Sequence, residues 1–197
     1  MNEWLFEQVN AFARATPWLH VAALGYARYG IVVFAGLLVA GWWAGRRAGD
    51  PRRVAAALAA GGSTLVAVAV NQPIVNTVRA ARPYTAQPHI LVLADRSSDF
   101  SFPSDHATMA GAVAVGLWFA SRRIGVVAAV AALLMALTRV YIAAHYPADV
   151  AAGLLLGGTV AATLWAVAHR PLVHAVTTAA GTHVWPVITA RRVSSRR

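Results

Sequence analysis

Long runs without a single charged residue constrain this chain more than anything else in it. Tyr29 to Gly45 and Val54 to Val78 contain no acid and no base, and three further apolar stretches, Ala107 to Ser121, Ile124 to Thr138 and Val150 to Ala168, are each bounded by arginine, histidine or aspartate. A hydrocarbon core of about 30 Å takes roughly 20 helical residues to cross. The expected fold is therefore all-α, a polytopic membrane bundle of five spanning helices. The third and fourth spans reach full length only by taking in polar ends, Ser104 to His106 and Arg139 to Ile142. Composition agrees, since 58% of residues are hydrophobic and only 12% charged, about half the charge of an ordinary soluble domain.

The 17 basic residues are all arginine, and against 7 acids they give a net charge of +10. Their distribution decides what that charge is for. Arg46, Arg47, Arg52 and Arg53 lie between spans one and two, Arg122 and Arg123 between three and four, and Arg170, Arg191, Arg192, Arg196 and Arg197 after five. Alternating loops of this kind mark the cytoplasmic side. The N-terminus, the loop from about Arg79 to Ser104 and the turn near His145 are then expected on the outer side of the membrane. Arginines dispersed as loop anchors, with no aromatic-interleaved groove, exclude a nucleic-acid partner.

Three segments are expected. Residues 1–24 hold a short interfacial helix with Trp4, Leu5, Val9, Phe12 and Ala13 at helical spacing; residues 25–170 form the membrane domain; residues 171–197 form an interfacial segment and a basic tail. Within the last, 171–188 reads as a surface or partly inserted stretch, with a sixth span as the alternative. Glu3, Glu7, Arg14 and Pro17 break the basic-then-apolar order of a cleavable signal, so a retained N-terminus is expected. Cysteine is absent, which rules out disulfides, thiolate metal sites and cysteine nucleophiles.

The ionisable residues that topology does not require sit at the outward ends of spans two to five: Arg79 and Arg82, Ser104 and His106, Arg139, then His145 and Asp149. Ionisable groups at such depths mark function by default. Several guanidinium forks on one small site imply a phosphate or diphosphate, because arginine pairs with its oxygens and stays charged. Ser104 is a natural N-cap for span three, leaving the amides of Asp105, His106 and Ala107 to face an anion. Asp149 lies one turn past His145 and can reach back to its ring, fixing the tautomer and freeing the other nitrogen to attack. His106 would then give its proton to the leaving oxygen while Arg79, Arg82 and Arg139 hold the phosphate. Taken singly, Ser104 is an ordinary cap, Arg139 a snorkelling anchor and His145 with Asp149 a stabilising pair. All three on one membrane face point to phosphate chemistry.

Arg82-Pro83, Phe102-Pro103-Ser104-Asp105-His106 and Arg139-x5-His145-x3-Asp149 resemble the three signature motifs of the type 2 phosphatidic acid phosphatase superfamily, in order and in spacing. The resemblance implies a helical membrane phosphatase that needs no metal or other cofactor and works through a phosphohistidine. It places the nucleophile at His145, its orienting carboxylate at Asp149, the acid at His106 and phosphate binding at Arg82, Ser104 and Arg139. Three positions depart from the pattern. The lysine of the first motif falls at Val75, and Arg79, one turn on, is expected to substitute. Thr138 replaces a serine. Asp105 replaces a glycine beside the substrate, which calls for an arginine partner or a turned-away carboxylate. Phe-Pro-Ser-Asp-His-Ala and His-Tyr-Pro-Ala-Asp-Val are most similar to the bacitracin-resistance type of undecaprenyl-diphosphate phosphatase, which implies a polyprenyl diphosphate substrate and recycling of the cell-wall lipid carrier. The alternatives are another lipid phosphate, such as phosphatidic acid, phosphatidylglycerol phosphate or another polyprenyl phosphate, and, outside enzymes, a transporter or scaffold.

Overall fold

The computed structural model describes residues 2–182, 186 and 189. Its helices are α1 (Asn2–Ala15), α2 (His20–Ala48), α3 (Pro51–Val78), the single turn α4 (Pro83–Ala86), α5 (Asp105–Ala120), α6 (Arg122–Tyr141) and α7 (Pro147–Ala180), with a 3-10 turn over Pro17–Leu19 ahead of α2. The chain is an integral membrane protein. Four of its helical segments are long and apolar enough to cross a bilayer, those built on α2, α3, α6 and α7. The remaining expected span, α5, is 16 residues long, about 24 Å at 1.5 Å per residue. It is short because it is central: α3, α6 and α7 enclose it.

The usual rule of apolar inside and polar outside is relaxed, as a lipid solvent requires. Val21, Leu65, Leu155 and Val167 are more than two-thirds exposed. The centre is built from small residues, Ala56, Ala57, Ala60, Ala110, Ala114, Ala128 and Ala132 around Val113, Leu117 and Met135. Small side chains let helix backbones approach closely where no hydrophobic effect drives them together. The approach is tightest between α5 and α7, where a Cβ on Gly157 would lie 1.9 Å from the Thr108 carbonyl oxygen and one on Gly153 would lie 2.6 Å from that of Ser104. These glycines are one turn apart, and they press the start of α7 against the start of α5.

Two boundaries differ from the sequence expectation. The first span begins at His20 and so includes Arg28. Helix α7 continues through Pro171 to Ala180, so residues 171–180 extend the fifth span and do not begin a sixth. An Arg-Pro pair reads locally as a stop, yet a long membrane helix tolerates one missing N–H. Residues 183–185, 187–188 and 190–197, which hold the rest of the expected C-terminal segment and tail, lie outside the described residues. Trp165, which lies within the fifth apolar run, is buried in the core against Phe119, with ring centroids 5.7 Å apart.

Helix α1 is not only a surface element. Phe6 packs on Ala107, Val140, Ala143 and Val150, and Ala13 packs near Tyr141 and Ile142, while Trp4, Leu5 and Phe12 stay exposed. Asn10 clasps the long loop before α5, its amide donating to the Leu91 carbonyl at 2.7 Å and its side-chain oxygen accepting from the Leu91 N–H at 3.0 Å. The loop that carries Arg82 and Ser101 is thereby fixed over one end of the bundle.

Candidate active site

At that end a cavity of about 200 Å³ is lined by Arg82, His106, Arg139 and His145, with Asp95, Asp99 and Asp105 at its border. Four separate elements contribute. Arg82 sits at the start of α4, His106 in the first turn of α5, Arg139 in the last turn of α6, and His145 in the turn before α7. That turn is tight: Ala143 takes a left-handed φ of 62°, and the N–H groups of Ala144 and His145 donate to the Arg139 carbonyl at 3.0 and 3.3 Å. An alanine in this conformation costs roughly 1–2 kcal/mol.

His145 is buried, and its partners identify its tautomer. Nδ1 lies 2.8 Å from the carbonyl oxygen of Ser101, which can only accept, so Nδ1 carries the proton. Nε2 is then a bare lone pair, 3.3 Å from an Arg82 guanidinium nitrogen. Arg82 is held for this task by two carbonyls, Asp99 at 2.9 Å and Ala144 at 3.1 Å. Burial pushes the His145 imidazole below its ordinary value, with Arg139 and Arg82 acting the same way against the opposing influence of Asp149.

The orienting carboxylate acts less directly than the spacing suggested. Asp149 Oδ2 is 3.8 Å from Nδ1, too far for a hydrogen bond. It accepts instead from the Ser101 hydroxyl at 2.5 Å and the Tyr146 N–H at 2.8 Å. Ser101 thus stands between the two, its carbonyl on the ring and its hydroxyl on the carboxylate. Sequence reasoning missed it, because nothing in its spacing marks it; only its place just ahead of Phe102-Pro103-Ser104 hints at a role.

Ser104 occupies the N-cap position of α5, but its hydroxyl does not bond the helix. It is fully buried and has no hydrogen-bond partner, and the Nε of Arg139 is in the same condition. A buried polar group without a partner costs about 1–3 kcal/mol, and the side-chain oxygen of Asn71 is a third such atom; of the three residues Arg139 lines the cavity, whereas Ser104 and Asn71 do not. The backbone of Ser104 ties the site together, its N–H donating to the Asp149 carbonyl at 3.1 Å.

Asp105 is turned to α3 and, among the described residues, has no arginine partner. Its Oδ1 accepts from the side-chain amides of Asn71 at 2.7 Å and Gln72 at 2.9 Å, and Asn71 also donates to the Pro103 carbonyl at 3.1 Å. Neither amide was singled out from sequence. Arg79 is not brought into the cavity: its Nε donates to the Asn76 carbonyl of its own helix at 3.0 Å, and its guanidinium lies 5.8 Å over the Phe100 ring. Val75, where the motif lysine would fall, is buried. Thr138 faces an apolar groove of about 460 Å³ between α1, α2 and α6 instead of the cavity.

The PAP2 superfamily profile matches residues 56–172. The undecaprenyl-diphosphatase BcrC of Bacillus subtilis is 28% identical over 79% of this chain and 78% of its own length. A decaprenylphosphoryl-5-phosphoribose phosphatase of Mycobacterium tuberculosis is 42% identical over 57% of this chain and 61% of its own. Among solved structures, a transmembrane PAP2-type phosphatidylglycerolphosphate phosphatase of Bacillus subtilis superposes with a TM-score of 0.59 at 22% identity, over 86% of this chain and 88% of that one. It shares the fold.

Proposed function

The chain belongs to the PAP2 superfamily and is a membrane lipid phosphatase, and from that premise we propose that it hydrolyses undecaprenyl diphosphate to undecaprenyl phosphate and inorganic phosphate. The observation that carries the mechanism is the bare Nε2 of His145 opening on a cavity shared with Arg82, Arg139 and His106. Nε2 attacks the terminal phosphorus, the bond to the bridging oxygen breaks, and His106 protonates that oxygen as undecaprenyl phosphate leaves. The Nδ1–H keeps its bond to Ser101, and Asp149 stabilises the positive charge that grows on the ring. Arg82 exchanges its contact with Nε2 for one to a phosphate oxygen. With Arg139 and the Ser104 hydroxyl it holds the charge spread over the equatorial oxygens. Water then attacks the phosphohistidine with His106 as base, releasing phosphate. Asp105, fastened by Asn71 and Gln72, borders the substrate and offsets the positive field of the arginines at His106.

The similarity to BcrC supports the diphosphate, and with it recycling of the cell-wall lipid carrier and bacitracin resistance. The arginines gathered at the far ends of α2, α3 and α6 support a site on the outer face of a bacterial cell membrane. A second reading has its own observation: the higher local identity to the decaprenylphosphoryl-5-phosphoribose phosphatase favours a phosphomonoester on a lipid-linked sugar. Phosphate release by purified protein from undecaprenyl diphosphate, decaprenylphosphoryl-5-phosphoribose and phosphatidylglycerol phosphate separates these readings. Preference for either monoester would overturn the diphosphate assignment.

A further inference from the structure

The end of the bundle opposite the catalytic cavity carries a second, larger cavity of about 850 Å³, between the start of α3 and the junction of α5 with α6. Arg52, Arg53, Arg122 and Arg123 line it, with Trp118 and Asp50. Among the described residues only Arg53 has a carboxylate there, Asp50 at 3.2 Å. Arg122 lies over the Trp118 ring at 6.0 Å. Helix α6 begins in this cavity, and Ser121 supplies no side-chain cap to its first amides.

Among the described residues, no other acidic side chain lies at this end of the bundle. The acids number 7, and apart from Asp50 they are Glu3, Glu7, Asp95, Asp99, Asp105 and Asp149, all on α1, the long loop, or the starts of α5 and α7. Every one of those elements is at the catalytic end. Fixing membrane topology requires only that arginines lie on one side; it does not require four of them around one cavity. Leu58, Val126 and Val127 are about half exposed within two turns of these arginines. Exposed apolar helix surface therefore lies within two turns of the basic pocket.

We propose that this cavity binds the phosphate-bearing headgroup of an anionic membrane lipid, with the acyl chains lying along Leu58, Val126 and Val127. The complementary charge comes from outside the chain, and a lipid supplies both the anion and the hydrocarbon that the surface presents. Guanidinium forks and the free amides at a helix start both suit phosphate oxygens, and basic pockets between membrane helices hold anionic headgroups by the same physics.

Native mass spectrometry of protein purified from detergent with equimolar phosphatidylglycerol and phosphatidylcholine tests this. Wild type is expected to retain phosphatidylglycerol at least tenfold over phosphatidylcholine, with the preference falling in 0.5 M salt. R52Q/R122Q/R123Q should bring the ratio near one. R46Q/R47Q/R170Q, which removes equal charge outside the cavity, should leave most of the preference in place. A wild type without headgroup preference, or equal losses in both triple variants, would overturn the proposal. Thermal melting checks that each variant folds, and the wild-type ratio and its salt dependence decide the matter even where one does not.

Discussion

Ser101 and His145 meet at two points. The Ser101 carbonyl accepts a hydrogen bond from Nδ1–H at 2.8 Å, and the Ser101 hydroxyl oxygen lies 3.4 Å from the same nitrogen while donating to Asp149. The carboxylate's hold on the imidazole passes through this residue. Ser101→Ala keeps the carbonyl and removes the bridge, leaving Asp149 Oδ2 with the Tyr146 N–H alone. A loss of about 10- to 100-fold in kcat is expected, the cost seen when partners that orient metal-bound histidines are removed. Little change in KM and a shifted pH profile of kcat should accompany it. An unchanged profile would reduce Ser101 to packing.

His145→Ala should abolish phosphate release while the protein still melts cooperatively. Wild-type enzyme quenched in base after mixing with labelled substrate should carry one acid-labile phosphoryl group, and His145→Ala none. A labelled His145→Ala protein would move the nucleophile elsewhere.

Burial holds the His145 imidazole below its ordinary value, near 6.5 in an unfolded chain. The nucleophile should accordingly stay neutral, and the acidic limb of kcat/KM should fall below 6.5. The same displacement is a statement about stability. Below 6.5 the unfolded chain takes up the proton more readily than the folded one, so this group's contribution to stability is present above that pH and is lost as pH falls toward the lowered folded value. Thermal melts from pH 8 to 5 read the second effect, and His145→Gln should flatten it.

Arg139→Ala removes a guanidinium that lines the cavity with its Nε buried and unpaired. A loss of roughly 100-fold or more in kcat/KM is expected, in the range for deleting one transition-state donor. Arg79→Ala is the discriminating companion. Because Arg79 bonds the end of its own helix, only a few-fold loss is expected; a loss matching that of Arg139→Ala would place it on the substrate during turnover.

Gly157→Ala places a methyl 1.9 Å from the Thr108 carbonyl oxygen. Backbone cannot yield cheaply there, so a destabilisation on the order of 3 kcal/mol is expected, at the upper end for overpacking. Loss of activity should accompany it as α5 and α7 part. Gly25→Ala, with nothing within 4 Å of its added Cβ, is the control and should be neutral or slightly stabilising. Equal melting temperatures for the two variants would mean that the α5–α7 contact is looser than it stands.

The order of residues alone determined that this chain is a helical membrane bundle, because apolar run length against bilayer thickness is a property of the sequence itself. It also determined that Arg82, His106, Arg139 and His145 belong to one end, since each sits at a span boundary and the spans alternate in direction. Their partners were decided only by the tertiary structure. The Ser101 bridge, the Asn71 and Gln72 grip on Asp105, the free hydroxyl of Ser104 and the exclusion of Arg79 depend on how closely α5 meets α7 and on where Asn10 fastens the long loop. Spacing along a helix assigns a side chain to a face. Which atom it meets is settled by the packing of segments far apart in sequence, and no local pattern encodes that distance.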